Sequence, residues 1–347
     1  MRPFHYEELK KLMMPMETVR LLTTINEYKG KQDLYKKQYP QVLNTLRDVS
    51  IIQSTKASNA IEGIVITDQR LKSIMGHKTE PKDRSEGEIA GYRDILDIIH
   101  ASFDAIPLSA GVILQLHREL SKYIPSQGGK WKHADNVIRE KLPDGEVFVR
   151  FMPLSAFETP SAMEKLCQEY QERMRKQDVE PLLLISLFLL DFLCIHPFND
   201  GNGRMSRLLA LLLLYQAGYE VGRYISLEKI IDESKQSYYD TLQHSSIGWH
   251  ERRNDIFPWV NYFLSTIVAA YKELEERVGV VQTGKGNKEK RVESYIANKI
   301  GYFSKEDIRT ACPDVSESTI NRVLVRLKEE GIVEPLGKGR SAKWKKV

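Results

Sequence analysis

His196-Pro197-Phe198-Asn199-Asp200-Gly201-Asn202-Gly203-Arg204-Met205-Ser206-Arg207 stands between two strongly apolar runs, Leu182 to Ile195 and Leu208 to Leu214. Pro197 keeps the residue before it out of helical geometry, so a first helix should end near His196. Gly201 and Gly203 allow a turn with positive φ, and a second helix is expected from Arg204. A glycine-bearing turn that feeds a helix N-terminus aims unpaired N–H groups at one point, which suits a phosphate. Arg204 and Arg207 are three positions apart and share a face in the first turn. Cations there oppose the helix dipole unless an anion joins them. Asp200 suits a Mg²⁺ ion that bridges phosphate oxygens, and His196 is the natural proton acceptor near neutral pH.

Outward from this stretch the pattern is helical. Apolar residues recur at three and four positions in Val42–Ile61, Gly87–Ala101, Ala110–Tyr123, Ser161–Arg175, Pro181–Ile195, Arg204–Tyr215 and Phe257–Arg277. The fold class expected is therefore mainly α. One excursion into sheet is expected, a β-hairpin whose runs Asn136–Arg139 and Glu146–Phe151 flank the turn residues Lys141 to Gly145. Neither apolar run reaches the ~18 residues of a membrane span. Gly201 to Ser206 lacks the third glycine of GxGxxG, and neither Gly129-Lys130-Trp131 nor Gly284-Lys285-Gly286 continues as a P-loop.

The twelve residues resemble the signature of Fic-domain proteins, His-Pro-Phe-x-Asp/Glu-Gly-Asn-Gly-Arg-x-x-Arg, at every specified position. The resemblance extends over most of Met1 to Val278 and implies a Fic-type helical core with a β-hairpin flap. It implies transfer of AMP from ATP to a Ser, Thr or Tyr hydroxyl on a target protein, which could be the protein itself. Under it His196 takes the acceptor proton and Asp200 holds Mg²⁺. Asn202, with the backbone of Gly201 and Gly203, lines the anion hole, Arg204 takes the inner phosphates and Arg207 the γ-phosphate. Asn136, Val137, Ile138 and Arg139 resemble the target-docking flap, and Tyr238 and Tyr239 the pair beside the adenine.

Ser58-Asn59-Ala60-Ile61-Glu62-Gly63 resembles the family's inhibitory motif, Ser/Thr-x-x-x-Glu-Gly/Asn. Ser58 and Glu62 lie one helical turn apart. The resemblance implies that Glu62 pairs with Arg207 and occupies the guanidinium meant for the γ-phosphate. Two alternatives stand beside the adenylyltransferase reading. One is a phosphotransferase related to Fic-like toxin kinases, although those carry Lys where this chain has Gly203. The other is a Fic-fold nucleotide sensor acting as a DNA-binding transcriptional regulator.

The 347 residues suggest two or three domains, divided here as 1–85, 86–280 and 281–347, with the last seam at Gln282 to Lys288. Past that seam, Ser304 with Asp307 forms an acidic relative of the capping box, Ser316 can cap the following helix and Gly331 can stop it. The order helix, helix, turn, helix, β-wing resembles a winged helix-turn-helix domain. From Lys285 onward, 15 Lys and Arg face 9 Asp and Glu, whereas the remainder has 36 against 38. This asymmetry makes DNA an optional partner for 289–347, with Ser318, Thr319, Asn321, Arg322 and Arg326 as contacts. Three dispersed cysteines and a charged N-terminal stretch lead to the expectation of a cytoplasmic protein without a disulfide framework. A homodimer is among the compatible assemblies.

Overall fold

The structure is a computed structural model that describes residues 4, 6–125, 128–141, 147–282, 288–299, 302–313, 315–337 and 342–346. Residues 142–145 of the turn expected at 141–145, the centre of the 282–288 seam and part of the wing turn fall outside the described residues, while Lys141 ends a strand. Two compact units are present, Met1–Leu274 and Glu275–Val347.

In the first unit, α1 (Met16–Gln38), α2 (Pro40–Ile61) and α3 (Asp68–Met75) precede α4 (Arg84–Ser102) and α5 (Ala110–Leu120). The hairpin β1 (Ile138–Lys141) and β2 (Val147–Phe151) follows. Then come α6 (Thr159–Lys176), α7 (Pro181–Ile195), α8 (Asn202–Gln216), α9 (Leu227–Glu233), α10 (Lys235–Ser246) and α11 (Phe257–Gln282), the last of which runs on past Leu274 into the second unit. Every residue of α7 from Leu182 to Ile195 is buried, as a run that is apolar but for Ser186 and Asp191 requires. The helix lies between α6 and α8 at the centre of this unit. Its one carboxylate, Asp191, is buried but satisfied by the Tyr6 hydroxyl at 2.7 Å and the Trp249 indole N–H at 2.6 Å. Glu180 precedes Pro181 at N1, where the missing N–H is harmless.

Helices α1, α3, α9 and α10 have no counterpart among the windows read from periodicity. In α1 the buried positions mix Thr18 and Gln32 with Leu22 and Ile25, so no continuous apolar stripe is visible. Gln32 is buried because its amide is engaged, accepting from Glu220 N–H and from the Tyr271 hydroxyl, each at 2.9 Å. The hairpin is antiparallel and pairs Ile138 with Phe151 and Arg139 with Val149, the register shifting between the two pairs. Asn136 and Val137 lie before β1, not within it as the sequence suggested.

The second unit contains α12 (Lys288–Asn298), β3 (Phe303–Ser304), α13 (Lys305–Ala311), α14 (Glu317–Glu329), β4 (Val333–Pro335) and β5 (Lys343–Lys346). Its strands are ordered β3-β5-β4 and close over a core that includes Ile308, Ile320, Leu324 and Trp344. Ser304 and Asp307 form both hydrogen bonds of a capping box, Ser316 caps α14 and Gly331 adopts φ 73°. The α14 arginines are engaged within this unit: Arg322 reaches Glu289 at 2.7 Å, and Arg326 pairs with Glu289 at 3.1 Å and with Glu293. Ser318 and Thr319 each place a hydroxyl 2.9 Å from that of Ser316.

Candidate active site

The chain reverses between α7 and α8 over six residues, His196 to Gly201. His196 caps α7 in the left-handed region at φ 50°, and Gly201 begins α8 at φ 82°. The second helix thus starts at Asn202, two residues before the expected Arg204, which puts the N–H groups of Asn202, Gly203 and Arg204 in its open first turn.

His196 Nδ1 lies 3.3 Å from the Leu193 carbonyl. A carbonyl can only accept, so Nδ1 carries the proton and the basic lone pair falls to Nε2. Burial, opposed by the Leu193 carbonyl, pushes the imidazole down to about 4, so it is neutral at physiological pH. The same ordering of causes holds His117 to about 4. His117 accepts from Gly129 N–H at 3.0 Å and donates from Nε2 to the Asp200 carbonyl at 3.1 Å, an arrangement that also requires a neutral ring. It stacks on Phe198 with centroids 3.6 Å apart.

The loop is held by residues that local pattern does not mark. Lys132 is 3% exposed, and its ammonium donates to Asn136 Oδ1 and the Ile195 carbonyl, each at 2.9 Å, and to the Leu154 carbonyl. Its own N–H donates to the Pro197 carbonyl at 2.8 Å. Burial pulls this ammonium down to about 8, with Asp135 acting against the shift. Asn136 donates onward to the His196 and Phe198 carbonyls, each at 3.2 Å. Asn202 accepts from Phe198 N–H at 2.9 Å and donates to the Phe198 carbonyl at 2.8 Å. Both polar groups of the Asn202 side chain are engaged by Phe198, and Asn136 braces the loop. Lys132→Met should lower stability by about 3 kcal/mol, because it strands buried acceptors. Urea denaturation checks this, and a midpoint equal to that of the wild type would contradict the clamp.

Arg204 and Arg207 are both buried, Arg204 in the first turn of α8 and Arg207 in the second. Arg207 donates from Nε to the Ser58 hydroxyl at 2.8 Å and from Nη2 to the Ser58 carbonyl at 2.9 Å and Glu62 Oε1 at 2.7 Å. Glu62 follows the last residue of α2, and Gly63 leaves the helix at φ 81°. The carboxylate lies over Gly203, where a Cβ would come within 2.2 Å of Oε1. Arg204 approaches Glu88 at 3.3 Å and Asp200 at 3.5 Å. Even so, Arg204 Nε and Arg207 Nη1 are buried with no partner among the described residues, and Arg204 Nη1 has the Glu88 ion pair but no hydrogen bond. Two unpaired guanidinium nitrogens near a helix N-terminus form an incomplete anion site.

Asp200 is half exposed, accepts from Gly201 N–H at 2.6 Å and is bound by Arg84 at 2.6 Å. No group of three His, Cys, Asp or Glu residues capable of holding a metal occurs among the described residues. A single carboxylate of this kind fits Mg²⁺, which keeps several waters and draws its other ligands from phosphate. Tyr238 is buried in α10, within the fields of Arg207 and Glu62, and its ring meets Tyr239 edge-on at 5.1 Å. Arg150 of β2 lies 5.2 Å from the Tyr239 ring and donates to its carbonyl, tying the hairpin to α10. Arg139 is exposed on β1, while Val137 and Ile138 are partly buried. A cavity of about 300 Å³ opens beside Asp200 and Arg204, lined also by His117, Trp131 and His133.

Burial also holds His100 down to about 3. The folded chain therefore resists protonation at His100, His117 and His196 where the unfolded chain takes it up, beginning near pH 6.5. Their contribution to stability is complete above pH 6.5 and is lost as pH falls towards 4 for His117 and His196 and towards 3 for His100. Urea midpoints should decline across that window, and less steeply in His100→Gln. An identical slope in the variant would exclude His100 as a contributor.

Residues 107–214 match the Fic/DOC family, so the chain carries a Fic domain. Over 214 residues it is 28% identical to a protein adenylyltransferase Fic of Drosophila erecta, a match covering 59% of this chain and 38% of that protein. A protein adenylyltransferase Fic of Aedes aegypti is 26% identical over 222 residues, covering 61% and 39%. The chain thus spans less than half the length of these curated relatives. A Fic family protein from Desulfovibrio desulfuricans G20 is similar in structure with a TM-score of 0.63 at 20% identity, covering 97% of each chain. A Fic-domain-containing signaling protein from Bacteroides thetaiotaomicron VPI-5482 gives 0.61 at 22%, covering 74% of this chain and 98% of that one. The fold of this chain is accordingly that of Fic proteins. No helix among the described residues is long and apolar enough to cross a membrane.

Proposed function

We propose that the protein transfers AMP from ATP to a hydroxyl group of a target protein, and that Glu62 holds this activity down. The observation that carries the reading is the pair of buried arginines near the start of α8, which leave Arg204 Nε and Arg207 Nη1 without a partner among the described residues while a carboxylate from the end of α2 occupies part of the place of an anion. The names borne by the relatives support it, as does the agreement of the sequence with the Fic signature at all nine specified positions.

The acceptor hydroxyl gives its proton to His196 Nε2, and its oxygen attacks the α-phosphorus of ATP. A bond from that oxygen to phosphorus forms as the bond to the pyrophosphate oxygen breaks. Charge growing on the phosphates meets Arg204, Arg207 and the backbone N–H groups of the first turn of α8, which are already oriented. Mg²⁺, held through Asp200, would offset the triphosphate charge. Tyr238 and Tyr239 offer rings on the adenine side. An exposed β1 edge offers main-chain pairing to an extended target segment, with a hydroxyl side chain as the only strict requirement.

Phosphotransfer is the less favoured chemistry, because the Fic-like toxin kinases carry Lys where this chain has Gly203. A DNA-binding sensor is also less favoured, since Arg322 and Arg326 already have glutamate partners. ATP labelled at the α- or the γ-phosphate separates the two transfer chemistries. With Mg²⁺ and the Glu62→Gly protein, protein-bound label should come from the α-position alone. Label from the γ-position would overturn the assignment.

A further inference from the structure

Four charges alternate around the mouth of the site. Arg84 donates from Nε to Glu88 Oε1 at 2.8 Å and from Nη2 to Asp200 Oδ2 at 2.6 Å. Arg204 closes the ring, 3.3 Å from the other Glu88 oxygen and 3.5 Å from the other Asp200 oxygen. Two members, Glu88 and Arg204, are buried, whereas the Arg84 and Asp200 side chains are 65% and 55% exposed. One half of the ring is therefore fixed by packing and the other half can exchange.

Helix α4 does not account for Arg84. The residue occupies the first position after the Asp83 cap, where the helix dipole disfavours a cation, and solvent covers most of its side chain. What accounts for it is the pair of carboxylates. Glu88, one turn further along α4, holds Arg84 on one side and Arg204 on the other.

We propose that Arg84 is a built-in rival of the divalent cation for Asp200, retained at the rim by Glu88. This rests on the reading of Asp200 as the metal-holding carboxylate. Without nucleotide, Arg84 neutralises Asp200 and keeps the ring balanced, two positive charges against two negative. A divalent cation can engage Asp200 only as Arg84 releases it. Because Glu88 keeps its own bond to Arg84, release takes a rotation of an exposed guanidinium and no movement of α4. The incoming triphosphate then draws Arg204 and balances the added positive charge, which ties metal entry to nucleotide entry.

The test is binding of Mn²⁺ in the presence of α,β-methylene-ATP, followed through the electron paramagnetic resonance signal of free Mn²⁺. Arg84→Gln should bind Mn²⁺ about two- to five-fold more tightly than wild type, the range expected for removing an exposed ion-pair competitor. Arg84→Lys, which keeps the charge, should stay close to wild type, and added salt should narrow the gap. Thermal melting of each variant verifies folding. Unchanged or weaker Mn²⁺ binding by Arg84→Gln, with binding lost in Asp200→Asn, would refute the rivalry and leave the role of Asp200 standing. Wild-type Mn²⁺ binding by Asp200→Asn would overturn that role and the proposal with it. Weaker binding of α,β-methylene-ATP to Arg84→Gln without metal would assign Arg84 to phosphate instead and would equally refute the rivalry.

Discussion

Glu62→Gly should raise incorporation of α-labelled AMP by about ten- to a hundred-fold, the span expected of a coupling worth ~1.4 to 3 kcal/mol. The physical basis is competition for one guanidinium. Arg207 holds Glu62 at 2.7 Å through a charge-assisted hydrogen bond, and the γ-phosphate of a productively bound ATP would need the same donor. With the carboxylate in place, ATP is left with its α-phosphate misaligned for attack, and poor alignment alone can remove orders of magnitude in rate. Removing it should leave the fold largely intact. Arg207 keeps both bonds to Ser58, and Glu62 lies at the end of α2, where glycine is tolerated. Glu62→Gln, with similar shape and no charge, should fall between the two. Quantifying label on the protein and on lysate proteins decides the matter, and equal labelling of wild type and Glu62→Gly would refute inhibition through this pair.

The second large effect is expected at His196. In the Glu62→Gly background, His196→Ala should reduce AMP transfer by about 10²- to 10⁴-fold, the contribution of a positioned general base. ATP affinity should change little, because the proposed phosphate contacts come from α8. Alanine also places a Cβ-bearing residue other than histidine at φ 50°, a conformation that asparagine accepts more readily. His196→Asn therefore separates loss of the base from backbone strain, and both variants should be equally silent. Transfer persisting in His196→Asn would remove the imidazole from the mechanism. Between pH 6 and 8 the Glu62→Gly enzyme should show no acid limb from His196, since burial keeps that ring neutral well below this range.

The expectations that hold best are those resting on local chemistry. The apolar run in α7, Pro197 after His196 and Ser304 with Asp307 each act over a few residues, and each appears where the pattern places it. Features that depend on partners elsewhere fare differently. Lys132 is an ordinary lysine beside His133 in a polar loop until its burial and its carbonyl partners are known. Asn136 carries strand character by its neighbours, yet its amide is drawn to the loop that follows α7. The arginines of α14 look available to DNA until α12 supplies their glutamates.

By itself the sequence determined a helical chain with a sharp, glycine-bearing turn between two apolar helices, and with His196, Asp200, Arg204 and Arg207 gathered at that turn. These follow from backbone sterics and helical spacing, which act over three or four residues. Only the tertiary structure decided which distant charges meet them. Glu62 is 145 positions from Arg207 and Arg84 is 116 from Asp200, and both pairs come together because α2 and α4 pack against α8. Such contacts arise from the burial of whole helix faces, a property of the assembled core that no short stretch of chain carries.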